Sequence, residues 1–346
     1  MVPLNLVLVG FGNVGRAFAR LLLLKQDDVR KEYGLEWRLT GVLTGSHGRA
    51  ISSDGLPIAD MLRGVGAGGR LDEFGRTKPL AQLDQNLRLA QAQVMIEVTP
   101  LNARTGEPAL THVQTALEAG VHVVTANKGP LVYGYKTLRD IAAQNHRHFL
   151  FESTVLDGAP VFSLFRDSLP SSRLTGFRGV LNSTTNFILG ELEAGKSFDE
   201  AVAAAQALGI AETDPSADVD GWDAAVKVAA LATVLMDLPI LPSQVKREGI
   251  RAITTTMARE ARGAGCPYKL VCRARRGPGG DLQASVGPEK VPLGDPLAVV
   301  SGTSSAIHLE MDMLEGLTLI EHNPSPQTSA YGLLTDLIHI VRNPLA

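Results

Sequence analysis

Between Gly209 and Lys227 the chain reads GIAETDPSADVDGWDAAVK, with four carboxylates, Glu212, Asp214, Asp218 and Asp220, in a turn-rich segment. A helix then opens with Asp223 and Lys227 four residues apart, which puts them on one face. The residues that follow, VAALATVLMDL, are apolar nearly all round, so this helix is expected to be buried. A lysine at the mouth of a buried helix, facing a carboxylate cluster, calls for a reason beyond solvation. The same residues also satisfy a plainer description: a capped helix start with an acidic first turn and an i,i+4 ion pair worth roughly 0.2–0.5 kcal/mol.

A second constellation stands at the N-terminus. Leu4 to Val9 has the character of a parallel strand, Gly10-Phe11-Gly12-Asn13-Val14-Gly15 follows at once, and a helical pattern begins at Arg16. GxGxxG between strand and helix is the dinucleotide-binding arrangement: Gly10 allows the tight turn, Gly12 the approach of a pyrophosphate, and Gly15 close helix–strand packing. The helix N-terminus adds amide donors and a positive dipole. After a polar insertion at Gln26 to Gly34, a second strand, Glu36 to Leu43, ends in Thr44-Gly45-Ser46-His47-Gly48-Arg49. No carboxylate stands there for the adenosine ribose, and Ser46, His47 and Arg49 suit a 2′-phosphate, so the reading leans to NADP over NAD. A solvated basic loop is the alternative.

These groups need a scaffold. Residues 52–77 read as loop with one short helix near Ala59 to Arg63; strands at Val94 to Val98, Val121 to Thr125 and His148 to Glu152 then alternate with helices near Pro108 to Ala119 and Gly134 to Asn145. This is the pattern of a Rossmann-type doubly wound parallel sheet, which binds ligands at the carboxyl ends of its strands. Thr99 and the Asn127-Lys128 pair fall at two such ends, although Lys128 also reads as an exposed loop lysine. Beyond Phe151 the pattern changes. Pro160 is expected to start a helix, VFSLFRDSL, and a strand at Leu174 to Leu181 delivers Asn182-Ser183-Thr184-Thr185-Asn186 into another. Those polar residues suit a substrate carboxylate, or equally a helix cap. A capping-box helix at Ser197 to Leu208, a hairpin about the Gly277 to Gly280 turn and two later strands make a second, α+β domain with a mixed sheet.

Composition narrows the partners. A length of 346 residues suits two domains. A net charge of −3 offers no electrostatic case for nucleic acid or an anionic membrane, which leaves small molecules. Cys266 and Cys272 lack zinc-ligand spacing, and no signal peptide or bilayer-length apolar run is present, so a cytoplasmic protein is expected.

Taken together, GFGNVG, TANKGP at Thr125 to Pro130, NSTTNFIL at Asn182 to Leu189, AETDPSADVDGWDAAVK and REGI at Arg247 to Ile250 resemble homoserine dehydrogenase in order and approximate spacing. The resemblance implies NAD(P)-dependent interconversion of L-homoserine and L-aspartate 4-semialdehyde, in threonine, methionine and isoleucine biosynthesis. It implies Lys227 and Lys128 near the reacting oxygen, with Asp223 tuning Lys227, and Glu212, Asp218, Thr184 and Ser183 around the amino-acid head. It further implies a Na⁺ or K⁺ site at Glu152, Val155, Asp157 and Ala159, a homodimer through the second-domain sheet, and a last helix returning to the nucleotide domain. The expected division is therefore 1–152 with 325–346 for the dinucleotide and 153–324 for substrate and dimerisation, with no appended regulatory domain. Ser183 stands where the family usually has glycine, Leu156 and Asp157 interrupt its run of small residues, and Glu321 to Pro326 replaces a glycine-rich turn. Ser183 and the altered C-terminal turn keep open a dehydrogenase of a related small hydroxy or amino acid; an NADP(H)-binding sensor without catalysis is a further reading, against which the presence of Lys128, Lys227, Asp218 and Asp223 speaks.

Overall fold

Leu6, Val7, Leu8 and Val9 are all buried, as a strand covered on both faces requires. They belong to β1 (Leu4–Val9) in a computed structural model that describes residues 3–345. The chain divides into two compact units, one running to Pro160 and resuming at Ser325, the other spanning Val161–Pro324.

In the first unit, β1 leads to α1 (Asn13–Tyr33), β2 (Trp37–Leu43), β3 (Arg49–Ile51), α2 (Ile58–Gly66), α3 (Leu83–Leu89), β4 (Val94–Glu97), α4 (Ala109–Glu118), β5 (His122–Thr125), α5 (Gly129–Tyr133), α6 (Tyr135–Gln144) and β6 (Phe149–Leu150). The sheet order is β3-β2-β1-β4-β5-β6, parallel throughout except for the antiparallel edge pair β2–β3. The stretch read as a polar insertion is helix: α1 runs on to Tyr33 because Val29 keeps the buried stripe while Asp27, Asp28, Arg30 and Lys31 face solvent, and it stops at Gly34 in the left-handed region at φ 65°. The edge strand β3 and the helix α3 were not expected.

The second unit carries β7 (Leu174–Val180), α7 (Ser183–Glu193), α8 (Phe198–Ala207), α9 (Ser216–Val219), α10 (Trp222–Leu235), β8 (Lys246–Arg247), α11 (Thr255–Gly263), β9 (Tyr268–Arg276), β10 (Leu282–Lys290), β11 (Ser305–Met311) and β12 (Leu317–Glu321). Its sheet, β12-β11-β7-β9-β10-β8, is antiparallel apart from β8–β10. The run after Pro160 is not a regular helix; Leu164–Ser168 is π-helical. Helix α10 is buried all round through Ala225, Val226, Val228, Ala229 and Leu231, and it packs on β9 and β10. By register, Arg178, Arg273, Arg275, His308 and Glu310 share one face of this sheet.

The last helix, α12 (Pro326–Arg342), starts with a Ser325 capping box and belongs to the first unit, where Leu333, Leu334 and Leu337 join the core formed with Leu6 and Phe18. No helix among the described residues is long and apolar enough to cross a membrane.

Candidate active site

In the first unit, Gly10 adopts φ +104°, and a Cβ there would lie 2.7 Å from the Val98 carbonyl oxygen. At Gly15 it would lie 2.6 Å from the Gly10 oxygen. Gly12 differs: a Cβ would meet nothing within 4 Å, and no side chain caps the amides of α1 that follow it. Two glycines thus close the turn and the third leaves backbone amides facing open space, the arrangement a pyrophosphate fits. Phe11 is buried in the core, Val14 packs beside it, and the Asn13 side chain accepts a 3.0 Å hydrogen bond from Arg16.

At the end of β2, Thr44 Oγ1 donates to the Gly48 carbonyl at 2.8 Å and accepts from the His47 amide at 2.8 Å, while Ser46 Oγ lies 2.7 Å from His47 Nδ1. The Arg49 guanidinium donates to the Leu80 carbonyl at 3.1 Å. A carboxylate does stand here, supplied from a distant segment. Asp72 accepts from the Arg49 amide at 2.8 Å and from Arg70 at 2.8 Å, bonds that hold its carboxyl below the usual carboxylate range. Its 23-residue separation from Arg49 hid it from a reading of the strand end alone.

At the ends of β4 and β5, Asn127 donates through its side-chain amide to the Thr99 carbonyl at 2.9 Å and accepts from the Gly129 amide at 2.9 Å. Lys128 is the N-cap residue of α5 and is half-buried. Glu152 is 2% exposed, and its amide donates to Asp336 on α12 at 2.8 Å. Val155 is buried and Asp157 has φ 37°. The Asp157 carboxylate accepts from Ser329, and its carbonyl oxygen would sit 2.9 Å from a Cβ at Gly332. Asp157 and Ala159 thus lie in a turn tied to α12.

In the second unit, the chain leaves β7 at Leu181 and enters α7 through Asn182. The Asn182 carbonyl group of the side chain caps α7, accepting from the Thr185 amide and hydroxyl, both at 2.9 Å. Its side-chain amino group donates to Asp218 at 2.7 Å and to Asp223 at 3.1 Å. Lys227 Nζ donates to the Leu181 carbonyl at 2.6 Å and lies 3.7 Å from Asp223. The shared helix face is therefore real, and Asn182, read only as part of a polar run, is the residue that joins the two acids. Burial, and then the neighbouring Asp223 charge, raise the Asp218 carboxyl above its ordinary value, against the opposing pull of Asn182, Thr184 and Lys227. Such a carboxylate is short of positive charge, which an incoming ammonium supplies.

Thr184 Oγ1 donates to the Ile210 carbonyl at 3.2 Å, and Ser183 Oγ stands 3.5 Å from Ser305 Oγ. Glu212 lies on the exposed part of the loop. The turn into α10 is clamped from the REGI segment: Arg247 stacks 3.9 Å over the Trp222 ring and donates to the Asp220 carbonyl, and Arg251 pairs with Asp220. Gly221 makes that turn at φ +76°, in the left-handed region that favours glycine.

Residues 160–338 match the family model for homoserine dehydrogenase and residues 10–152 the model for the homoserine dehydrogenase NAD-binding domain. An NAD(+)-dependent homoserine dehydrogenase of Pseudomonas canavaninivorans is 35% identical, over 98% of this chain and 97% of that protein. Homoserine dehydrogenase of Methanocaldococcus jannaschii is 34% identical, over 97% and 98% respectively. Among solved structures, a hyperthermophilic archaeal homoserine dehydrogenase in complex with NADPH superposes with a TM-score of 0.84 at 26% identity, covering 99% of each chain. A homoserine dehydrogenase from Thiobacillus denitrificans gives 0.81 at 26% identity, over 98% of this chain and 73% of that one.

Proposed function

The chain belongs to the homoserine dehydrogenase family, NAD(P)-dependent oxidoreductases that interconvert L-homoserine and L-aspartate 4-semialdehyde, and from that premise we propose how its residues divide the work. The observation that carries the reading is the Asp218–Asn182–Asp223–Lys227 cluster, where a mostly buried acid stands in one hydrogen-bonded group with a fixed lysine. Asp218 and Glu212 receive the substrate ammonium; Thr184 and Ser183, at the start of α7, receive its carboxylate. NAD(P), when bound, supplies the hydride chemistry. Lys227 gives a proton to the aldehyde oxygen during reduction and recovers it during oxidation, and Asp223 holds its amine in place. Lys128 is assigned the polarisation of that oxygen, with Thr99 and Asn127 beside the nicotinamide.

NADP is our preferred form of the cofactor, on Ser46, His47 and Arg49; Asp72 opposes that preference because its carboxylate, bonded to the Arg49 amide and the Arg70 side chain, stands at the same turn and would repel a 2′-phosphate. For a monovalent cation we propose the backbone carbonyls of Glu152, Val155, Asp157 and Ala159, in a turn where Glu152 and Val155 are buried, with the tie of Asp157 to α12 as the feature that would weaken it. We assign the dinucleotide to residues 1–152 and 325–346, and substrate and dimerisation to 153–324. The charged face carrying Arg178, Arg273, Arg275 and Glu310 is our candidate for the homodimer contact, and a cytoplasmic location follows from the metabolic role. Initial rates of nicotinamide reduction with L-homoserine, using NAD⁺ and NADP⁺ separately with and without K⁺, test the assignment. Turnover that depends on homoserine supports it; cofactor binding without turnover in either direction, including from the semialdehyde, returns the related-substrate or sensor reading.

A further inference from the structure

We propose that Glu97 is a positioning residue for the nicotinamide end of the cofactor, fixing Thr99 and the Asn127–Lys128 turn to one another through a single buried carboxylate. Glu97 ends β4 and has no exposed surface. A carboxylate in that position is costly unless hydrogen bonds surround it. Here its Oε1 accepts from the Thr99 amide at 3.1 Å and from the Thr99 hydroxyl, and the Thr125 hydroxyl donates between its Oε2 and the Glu97 carbonyl oxygen, 3.1 Å from each.

Thr125 Oγ1 in turn accepts from the Asn127 amide at 2.9 Å, and the Asn127 side chain returns to the Thr99 carbonyl at 2.9 Å. The bonds close a ring across the carboxyl ends of two adjacent parallel strands, so neither turn can shift without the other. From α4, His112 Nδ1 faces the same carboxylate at 3.6 Å.

The sheet order shows which half of the cofactor this ring serves. The glycine turn follows β1, β2 lies on one side of it with the adenosine-end residues, and β4 and β5 lie on the other. A dinucleotide laid across the strand ends therefore brings its nicotinamide to Thr99 and Asn127. The inference rests on the roles proposed above for Thr99, Asn127 and Lys128.

Its test uses the full chain with Glu97→Ala, Glu97→Gln and Thr125→Val, comparing kcat with the affinity for ADP-ribose, which lacks the nicotinamide. Misplacing reactive groups by about 1 Å costs on the order of 100-fold, so Glu97→Ala and Thr125→Val should lower kcat about 10- to 100-fold while ADP-ribose affinity stays within about twofold. Glu97→Gln can keep the acceptor to Thr99 and turn its amide to Thr125 Oγ1, and should recover most of the rate. If Glu97→Ala does not fold, Thr125→Val, which keeps the side-chain volume, carries the comparison alone. Wild-type kcat in the folded variants overturns the inference, as does a loss of ADP-ribose affinity in step with kcat. Full turnover by Lys128→Met beside an impaired Glu97→Ala would instead remove the Lys128 assignment and leave the role of Glu97 standing.

Discussion

Lys227→Met removes one amine and little volume. Its structural cost is limited, because Asp223 keeps its 3.1 Å bond from Asn182 and the desolvation of the lysine is relieved. What remains is the Leu181 carbonyl, which loses its 2.6 Å donor in a partly buried position. An acceptor left that way costs about 1–3 kcal/mol, and with the relieved desolvation the net loss should be about 1–2 kcal/mol. Spread over a chain of 346 residues, at about 2.1 cal/mol/K per residue, that lowers Tm by only about 1–3 °C. The catalytic cost is of another order: loss of a positioned proton donor slows turnover about 10²- to 10⁴-fold, or about 3–5 kcal/mol in the barrier. Steady-state absorbance of nicotinamide oxidation with the semialdehyde gives kcat, cofactor fluorescence gives the dissociation constant, and a thermal melt gives Tm. A kcat within about tenfold of wild type in a folded variant would refute the role of Lys227, since general acid catalysis contributes more than that. A cofactor affinity that falls as steeply as kcat would place the defect in binding instead.

Asp218→Asn should raise Tm at pH 7.5 while raising the homoserine KM. A carboxyl whose pKa is raised by folding stabilises the fold only while protonated, and that stability is lost as pH climbs through the raised value. The gain in Tm should therefore close as pH falls; a difference that persists at pH 4 would contradict the argument. Gly12→Ala should leave Tm unchanged, because its Cβ meets nothing within 4 Å, yet weaken cofactor binding, whereas Gly15→Ala should lower Tm through its 2.6 Å clash; calorimetry on both variants distinguishes the two roles. Asp72→Ala frees Arg70 and the Arg49 amide and should shift the kcat/KM ratio toward NADP⁺, and an unmoved ratio would detach Asp72 from cofactor choice.

Local chemistry was enough to read several parts of this protein from its sequence. The GFGNVG turn works through backbone conformation and the absence of Cβ atoms, so the residue types nearly define it, and Asp223 and Lys227 share a face because the helical period places them there. The alternation of strands and helices likewise announced a doubly wound sheet, which the first unit contains. Helix boundaries were harder where polarity was mistaken for loop: the second half of α1 is charged on its outer face and still buries Val29.

What the tertiary structure decided were encounters between residues far apart in the chain. Asn182 meets Asp218 and Asp223 across 36 and 41 residues, and the Leu181 carbonyl reaches Lys227 across 46, pairings that depend on α7 and α10 packing on one sheet. Asp72 reaches the turn after β2 from beyond α2, and Glu97 bonds Thr125 from the neighbouring strand. A hydrogen bond forms at about 3 Å whatever the separation in sequence. Spacing along the chain therefore identified the groups that could do chemistry, and only packing determined which of them a buried carboxylate would find as partners.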